Sequence, residues 1–169
     1  MEMYVLQVKY NKEIQVKNTL EEMRFSVFHP TAEMIIRSKG QWKSQIKPVF
    51  PQYIFVECEL TSENYRRIKS VSGAIRFLGA ENPEPLPADE KEYIMLLNNG
   101  GEIVRASEIE VLPDGTKKVV SGMLKKYEDK IVFTNLRQRR AGIELELCGK
   151  THFITLPVTE KTVCEHLCG

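Results

Sequence analysis

Two prolines bracket an aromatic in Lys47-Pro48-Val49-Phe50-Pro51-Gln52-Tyr53-Ile54-Phe55-Val56, and this run constrains the fold more than any other part of the chain. Pro51 fixes its own φ and drives Phe50 towards an extended conformation. From Gln52 to Leu60 the side chains alternate, with Tyr53, Phe55 and Glu57 on one face and Ile54, Val56 and Cys58 on the other. The run is therefore a stiff aromatic loop opening into a half-buried strand. Taken alone, it suits a strand start stapled into a core better than it suits a binding surface.

The flanking segments place that strand in an α/β layer. Met3 to Lys9 alternates as a strand, with Tyr4, Leu6 and Val8 on one side. Asn11 is a candidate cap for a helix whose stripe is Ile14, Leu20 and Met23. Ser26 to Arg37 reads as extended structure broken at Pro30, and Ser38-Lys39-Gly40 as a turn into a second arm, Trp42 to Ile46. Thr61 or Ser62 caps a short helix to about Val71, with Tyr65 and Ile68 inward. Ala74 to Leu78 is a strand, and Asn82 to Pro87 a stiff connector. A last helix follows Asp89 and Glu90 and stops at Gly100-Gly101. The order β-α-β-β-β-α-β-α predicts one sheet with helices packed on it.

Beyond residue 116 the texture changes to short strands: Lys117 to Val120, Lys130 to Thr134, 143 to 147, His152 to Leu156 and Thr162 to His166. Gly149-Lys150 reads as a two-residue hairpin turn. This is the pattern of a small barrel. The charge divides at the same place. Residues 1–100 are neutral, 101–114 carry one arginine against four acids, and 115–169 carry ten Lys/Arg against six Asp/Glu, although the 169 residues sum to only +1. We therefore expect domains at 1–100 and 117–169 joined by an acidic linker, 101–116.

Several function classes are disfavoured. No apolar run approaches the ~18 residues of a membrane span, so a cytoplasmic monomer is expected. The three histidines, His29, His152 and His166, are far apart, and no P-loop, nucleophile elbow or HExxH pattern organises them, so no enzyme is expected. Cys164, His166 and Cys168, with Cys148 as a fourth candidate, lack the spacing of structural zinc sites, and no metal or cofactor is expected.

Together these residues resemble the NusG family of transcription elongation factors. The front resembles the family's NGN domain through Tyr4 to Val8, Lys12-Glu13, Pro48 to Val56 and Gly73 to Leu78. The rear resembles a KOW domain through Val119 to Gly122 and Tyr127 to Val132. The resemblance implies an α+β chain: an NGN α/β sandwich with a ferredoxin-like sheet and packed helices, then a small SH3-like β-barrel. It also implies that the NGN domain binds the β′ clamp helices of bacterial RNA polymerase, with Tyr4, Phe50, Tyr53, Ile75 and Phe77 as the clamp-facing candidates. The arm with Trp42 would reach the opposite polymerase lobe or upstream DNA.

Three departures from the family pattern stand out. Gln52 occupies a usual glycine position, and so do Lys126 and Asp129, which predicts an altered loop path. Gly122-Met123-Leu124 replaces Gly-Pro-Phe. Leu147-Cys148-Gly149 replaces the Ile-Phe-Gly turn through which general members contact ribosomal protein S10 or Rho, which weakens the expectation of either partner. Asn135 to Ala141, carrying Arg137, Arg139 and Arg140, instead resembles LoaP-type antitermination paralogues. With Lys125, Lys126 and Lys150, these arginines are the candidate contacts for a nascent RNA hairpin, expected to converge at one end of the barrel. The alternatives are a general elongation factor coupling polymerase to the ribosome or Rho, and a KOW-type ribosomal RNA-binding protein.

Overall fold

The computed structural model describes residues 1–79 and 81–161. Its first sheet is centred on β1 (Glu2–Val8), which pairs antiparallel with β5 (Tyr53–Cys58) on one side and β6 (Ala74–Phe77) on the other. β2 (Ser26–Phe28) adds to the outer edge of β5. A central strand is covered on both faces, and β1 shows it. Tyr4, Leu6 and Val8 pack with Val16 and Leu20 of α1 (Glu13–Glu22) and Ile68 of α2 (Ser62–Lys69). Met3 and Val5 face the other way, with Phe55 and with Ile94 and Leu97 of α3 (Ala88–Asn98).

Local signals account for most boundaries. Thr61 accepts a hydrogen bond from the Asn64 N–H at 3.1 Å, capping α2. Asn99 in the left-handed conformation ends α3. β3 (Thr31–Ser38) and β4 (Gln41–Pro48) form the expected hairpin, turned at Lys39 and Gly40, both at positive φ. The cap of α1 differs from expectation. Asn11 has φ 64°, Lys12 precedes the helix without a side-chain cap, and Ile14 is exposed while Glu13, Val16 and Leu20 form the buried stripe. The turn before the helix rotates its register away from the one Asn11 would have set.

The second sheet has the order β8-β7-β11-β10-β9, from β7 (Ser107–Val111), β8 (Lys117–Ser121), β9 (Ile131–Asn135), β10 (Arg140–Leu147) and β11 (Lys150–Glu160). β7 lies inside the stretch expected as a linker. Ile109 is buried, and β7 pairs with β8 and with the end of β11, so its alternation outweighs its acidic composition. The remaining connector is itself docked: Val104 is buried and exchanges backbone hydrogen bonds with Thr31 and Glu33 of β3. The β10–β11 turn is Cys148-Gly149, both at positive φ, because Leu147 pairs with Lys150. That is one residue earlier than Gly149-Lys150. The expected strand at Thr162 to His166 and the cysteines 164 and 168 lie outside the described residues.

The glycine departures resolve in two ways. Gln52 keeps the conformation a glycine would take: it sits at φ 71°, after Pro51, with the Tyr53 N–H donating to the Phe50 carbonyl at 3.1 Å. This is the pattern of a type II turn. Lys126 and Asp129 instead lie in a 3-10 segment, Met123–Lys130, that needs no positive φ there. Gly122 remains obligatory. Its φ is 100°, and an added Cβ would stand 2.4 Å from Ser107 Oγ and 2.6 Å from Ser107 Cα.

Two substitutions separate these cases. Gln52→Gly is expected to raise unfolding stability by up to about 1 kcal/mol, since the strain relieved exceeds the added chain entropy. Gly122→Ala is expected to lose roughly 1–3 kcal/mol through the Ser107 collision. Denaturant titration measures both, and a destabilised Gln52→Gly would contradict the left-handed turn.

Candidate functional site

The barrel packs against the first sheet, and one continuous apolar cluster joins Val5, Phe50, Phe55 and Leu97 with Tyr127, Ile143, Leu145 and Leu147. Its centre is the proline-framed turn. Phe50 is 2% exposed, edge-on to Phe55 at 5.3 Å and to His152 at 6.2 Å. Tyr53 meets the same His152 edge-on at 5.2 Å, and Lys150 Nζ donates to the Tyr53 hydroxyl at 3.2 Å. Two more polar contacts fix the docking. The Cys148 N–H donates to Glu90 Oε2 at 3.0 Å, and the Tyr127 hydroxyl to the Tyr93 carbonyl at 2.9 Å.

The five aromatic and apolar candidates therefore do not form one surface. Phe50 and Tyr53 lie under the barrel. Tyr4 and Phe77 lie on the opposite face of the sheet, edge-on to each other at 6.1 Å, with Tyr65 stacked on Phe77 at 5.7 Å. The cause is strand parity: Tyr4 shares its face with Leu6 and Val8, which face α1 and α2. Burial and the adjacent Glu2 carboxylate push the Tyr4 phenol up to about 12. Ile75 is 39% exposed on edge strand β6. Gln7 and Arg76, absent from the sequence-based set, share the Tyr53 face: Gln7 pairs with both Tyr53 and Arg76, and Arg76 Nε donates to Gln7 Oε1 at 3.0 Å. Only strand register reveals them.

The basic candidates also fall in three places rather than one. Lys125 and Lys126 are exposed on the 3-10 segment, where Lys126 lines a cavity with Glu102 and Arg105. Lys150 is engaged with Tyr53. Arg137 and Arg139 lie on the β9–β10 turn and Arg140 opens β10; Asn135 closes the turn by accepting from the Gln138 N–H at 3.0 Å. Arg139 leans on the Trp42 ring of the hairpin, its guanidinium carbon 4.3 Å from the ring centre. The hairpin tip thus meets the barrel as well as solvent. Among the described residues no three His, Cys, Asp or Glu are grouped to hold a metal, and no helix is long and apolar enough to cross a membrane.

Comparison with known proteins bears on these surfaces. The family model described as transcription termination factor nusG matches residues 1–95. The chain belongs to the NusG family. Similar proteins include the NusG of Chlamydia pneumoniae, 32% identical over 101 residues, covering 54% of this chain and 56% of that one. The NusG of Bacillus subtilis is 28% identical over 159 residues, 85% of this chain and 89% of that one. Against the Chlamydia and Vibrio relatives, the matched stretch spans about half of their length. A solved structure described as "Domain interaction in Thermotoga maritima NusG" matches 93% of both chains with a TM-score of 0.60 at 19% identity, which establishes the α+β fold through both parts of the chain.

The docked contact carries a pH dependence. Burial pushes the His152 imidazole below its ordinary 6.5, with Lys150 adding to the shift, and its Nε2 is buried without a hydrogen-bond partner among the described residues. A depressed imidazole favours docking while neutral, so this contribution is complete above pH 6.5 and is lost as pH falls below it. Glu90 has the opposite sign. Burial raises its carboxyl, so docking gains as pH falls through that raised value towards 4.5. NMR populations of the docked form should therefore fall as pH drops below 6.5 through the depressed His152 value, and His152→Phe should flatten that response. An unchanged slope in His152→Phe would place the titration elsewhere.

Proposed function

We propose that this chain is a transcription elongation and antitermination factor. Its NGN part grips the RNA polymerase clamp helices, and its basic KOW part receives a hairpin in the nascent RNA, in the manner of the LoaP-type paralogues. The observation that carries this reading is the aromatic turn. Phe50 and Tyr53 are preset by a proline-framed bend, and both meet His152 of the second module through contacts that another partner could replace. An internal core residue would have no such detachable cover. The similar proteins from Chlamydia and Bacillus are described as transcription termination/antitermination proteins, which supports the same role here.

The mechanism is a population shift without bond chemistry. With the barrel docked, Phe50 and Tyr53 are unavailable. When it leaves, the turn meets the clamp, and a clamp held closed on nucleic acid disfavours pausing and release. Inverting a 1:99 open-to-docked ratio takes roughly 5.5 kcal/mol of differential binding, and a partner that binds both forms equally shifts nothing. An RNA hairpin held by Arg137 and its neighbours would contribute by raising the effective concentration of the NGN part at one polymerase. Contact through phosphates and shape suits forked guanidinium donors on a turn. The replaced aromatic at Cys148, and the tie of that turn to Glu90, make ribosomal protein S10 and Rho the weaker partners.

The decisive experiment is multi-round transcription by bacterial polymerase through tandem intrinsic terminators, with and without a candidate leader hairpin. Read-through should require both protein and hairpin, and should fall to background when Arg137, Arg139 and Arg140 become alanine. Read-through indifferent to the hairpin would make the chain a general elongation factor. No effect on polymerase would remove the clamp-binding reading.

A further inference from the structure

The docked modules enclose two clefts of opposite character. One, between α3 and the barrel, has Asp89, Glu90, Asp129, Glu144 and Glu146 in its lining against Lys130. The other runs between the β3–β4 hairpin and the barrel as two open cavities of about 570 Å³ and 200 Å³ that share Ile36 and Arg140. Its walls carry Arg37, Trp42 and Lys47 from the hairpin and Arg137, Arg140 and Phe153 from the barrel, and the described residues lining the two cavities include no carboxylate. Arg139 adds a fifth Lys/Arg by leaning on Trp42. Trp42 is 37% exposed and Phe153 68% exposed, so an aromatic surface is open towards each end of a cationic trough. Arg140 Nε is buried there without a hydrogen-bond partner among the described residues.

We propose that this trough is a binding site for single-stranded nucleic acid, built by both modules and complete only when they are docked. Every base offers a π-face to Trp42 and Phe153, while the guanidinium and ammonium groups track the phosphates between them. A duplex, whose bases are already stacked, would leave both aromatic faces without a partner. A protein partner acidic enough to match the charge would leave the two separated aromatics without a common role. The site rests on the nucleic-acid reading above but differs in content: it takes a single strand rather than a hairpin stem, and it adds Trp42 and Arg37 of the NGN part to the barrel arginines. A strand touching both walls must also stabilise docking, by reciprocal linkage.

Trp42 is the sole tryptophan and a built-in probe. The full chain is titrated with a ten-nucleotide oligouridine RNA and with oligothymidine DNA of equal length, reading Trp42 emission and, with labelled strands, anisotropy. Quenching on binding is expected, with a log–log salt slope of about −2 to −3, the release expected from three or four single-strand phosphates. Anisotropy should show Trp42→Ala binding about 5- to 100-fold more weakly, with Arg37→Ala weaker too and Trp42→Phe largely retained. Binding of RNA alone or of both strands supports the site and tells which sugar it accepts. Amide exchange at Cys148, whose N–H reaches Glu90 across the modules, should slow with the strand bound.

Undiminished binding in both Trp42→Ala and Arg37→Ala, with loss only in the barrel arginine variant, would overturn the composite site while leaving the polymerase reading intact. Absence of quenching, or faster exchange at Cys148, would also overturn it. Read-through lost in transcription with strand binding preserved would instead count against the polymerase reading alone.

Discussion

The contact between the Pro48–Tyr53 turn and the start of β11 is the one on which the rest of the arrangement depends. Pro51 and the left-handed Gln52 hold the turn rigid, so Phe50 and Tyr53 present one geometry without paying rotamer and backbone entropy at each encounter. His152 sits edge-on to both rings, and Lys150 ties the Tyr53 hydroxyl. The apolar cluster that drives docking is continuous with the core of each module. The hydrogen bonds from Cys148 to Glu90 and from Tyr127 to Tyr93 contribute little net energy, since water would replace them on opening. What they fix is register, and the register decides which clefts form.

Net charge conceals this organisation. A formal +1 is the residue of two opposed fields: carboxylates collected beside α3, and arginines and lysines collected beside the hairpin. Low-dielectric walls focus each field, so a local partner senses the cleft and not the sum. Arg139 shows how the barrel and the hairpin become one surface, because its guanidinium lies against a ring belonging to the other module.

Much of this was legible from residue patterns, and the failures share a cause. The alternation of Tyr53 to Cys58, the hairpin at Ser38 to Gly40, the Thr61 cap and the family resemblance all depend on local sequence, and the structure agrees with each. The family resemblance groups Tyr4 and Phe77 with Phe50, whereas strand parity sends them to the other face. β7 was hidden because Glu108 and Glu110 dominate the composition of a strand whose inward residues are Ser107 and Ile109. The Cys148-Gly149 turn was read one residue late because the glycine fits either central position, and only the Leu147–Lys150 pair decides. Gln52 shows a different limit. The missing glycine predicts an altered loop path, yet at Gln52 the path is kept and the residue yields, in a left-handed conformation.

Two of the proposed surfaces exclude each other by construction. The aromatic turn is free only when the barrel leaves, and the cationic trough exists only while the barrel stays, since Arg137, Arg140 and Phe153 form one of its walls. Opening would also part Phe50 from His152 and expose apolar surface on each module, of the kind that marks a partner surface. The open form therefore needs a partner of matching apolar character to persist, whereas the closed form has its own core. A strand in the trough and a polymerase on the turn would then pull one equilibrium in opposite directions. Neither needs a dedicated signalling path, because each acts only through its differential affinity for the two states. The physical requirement is a hinge that opens without unfolding either module. The connector confines any such hinge to its barrel end, since Val104 is held to β3 by two backbone hydrogen bonds beside the Arg105–Glu33 ion pair.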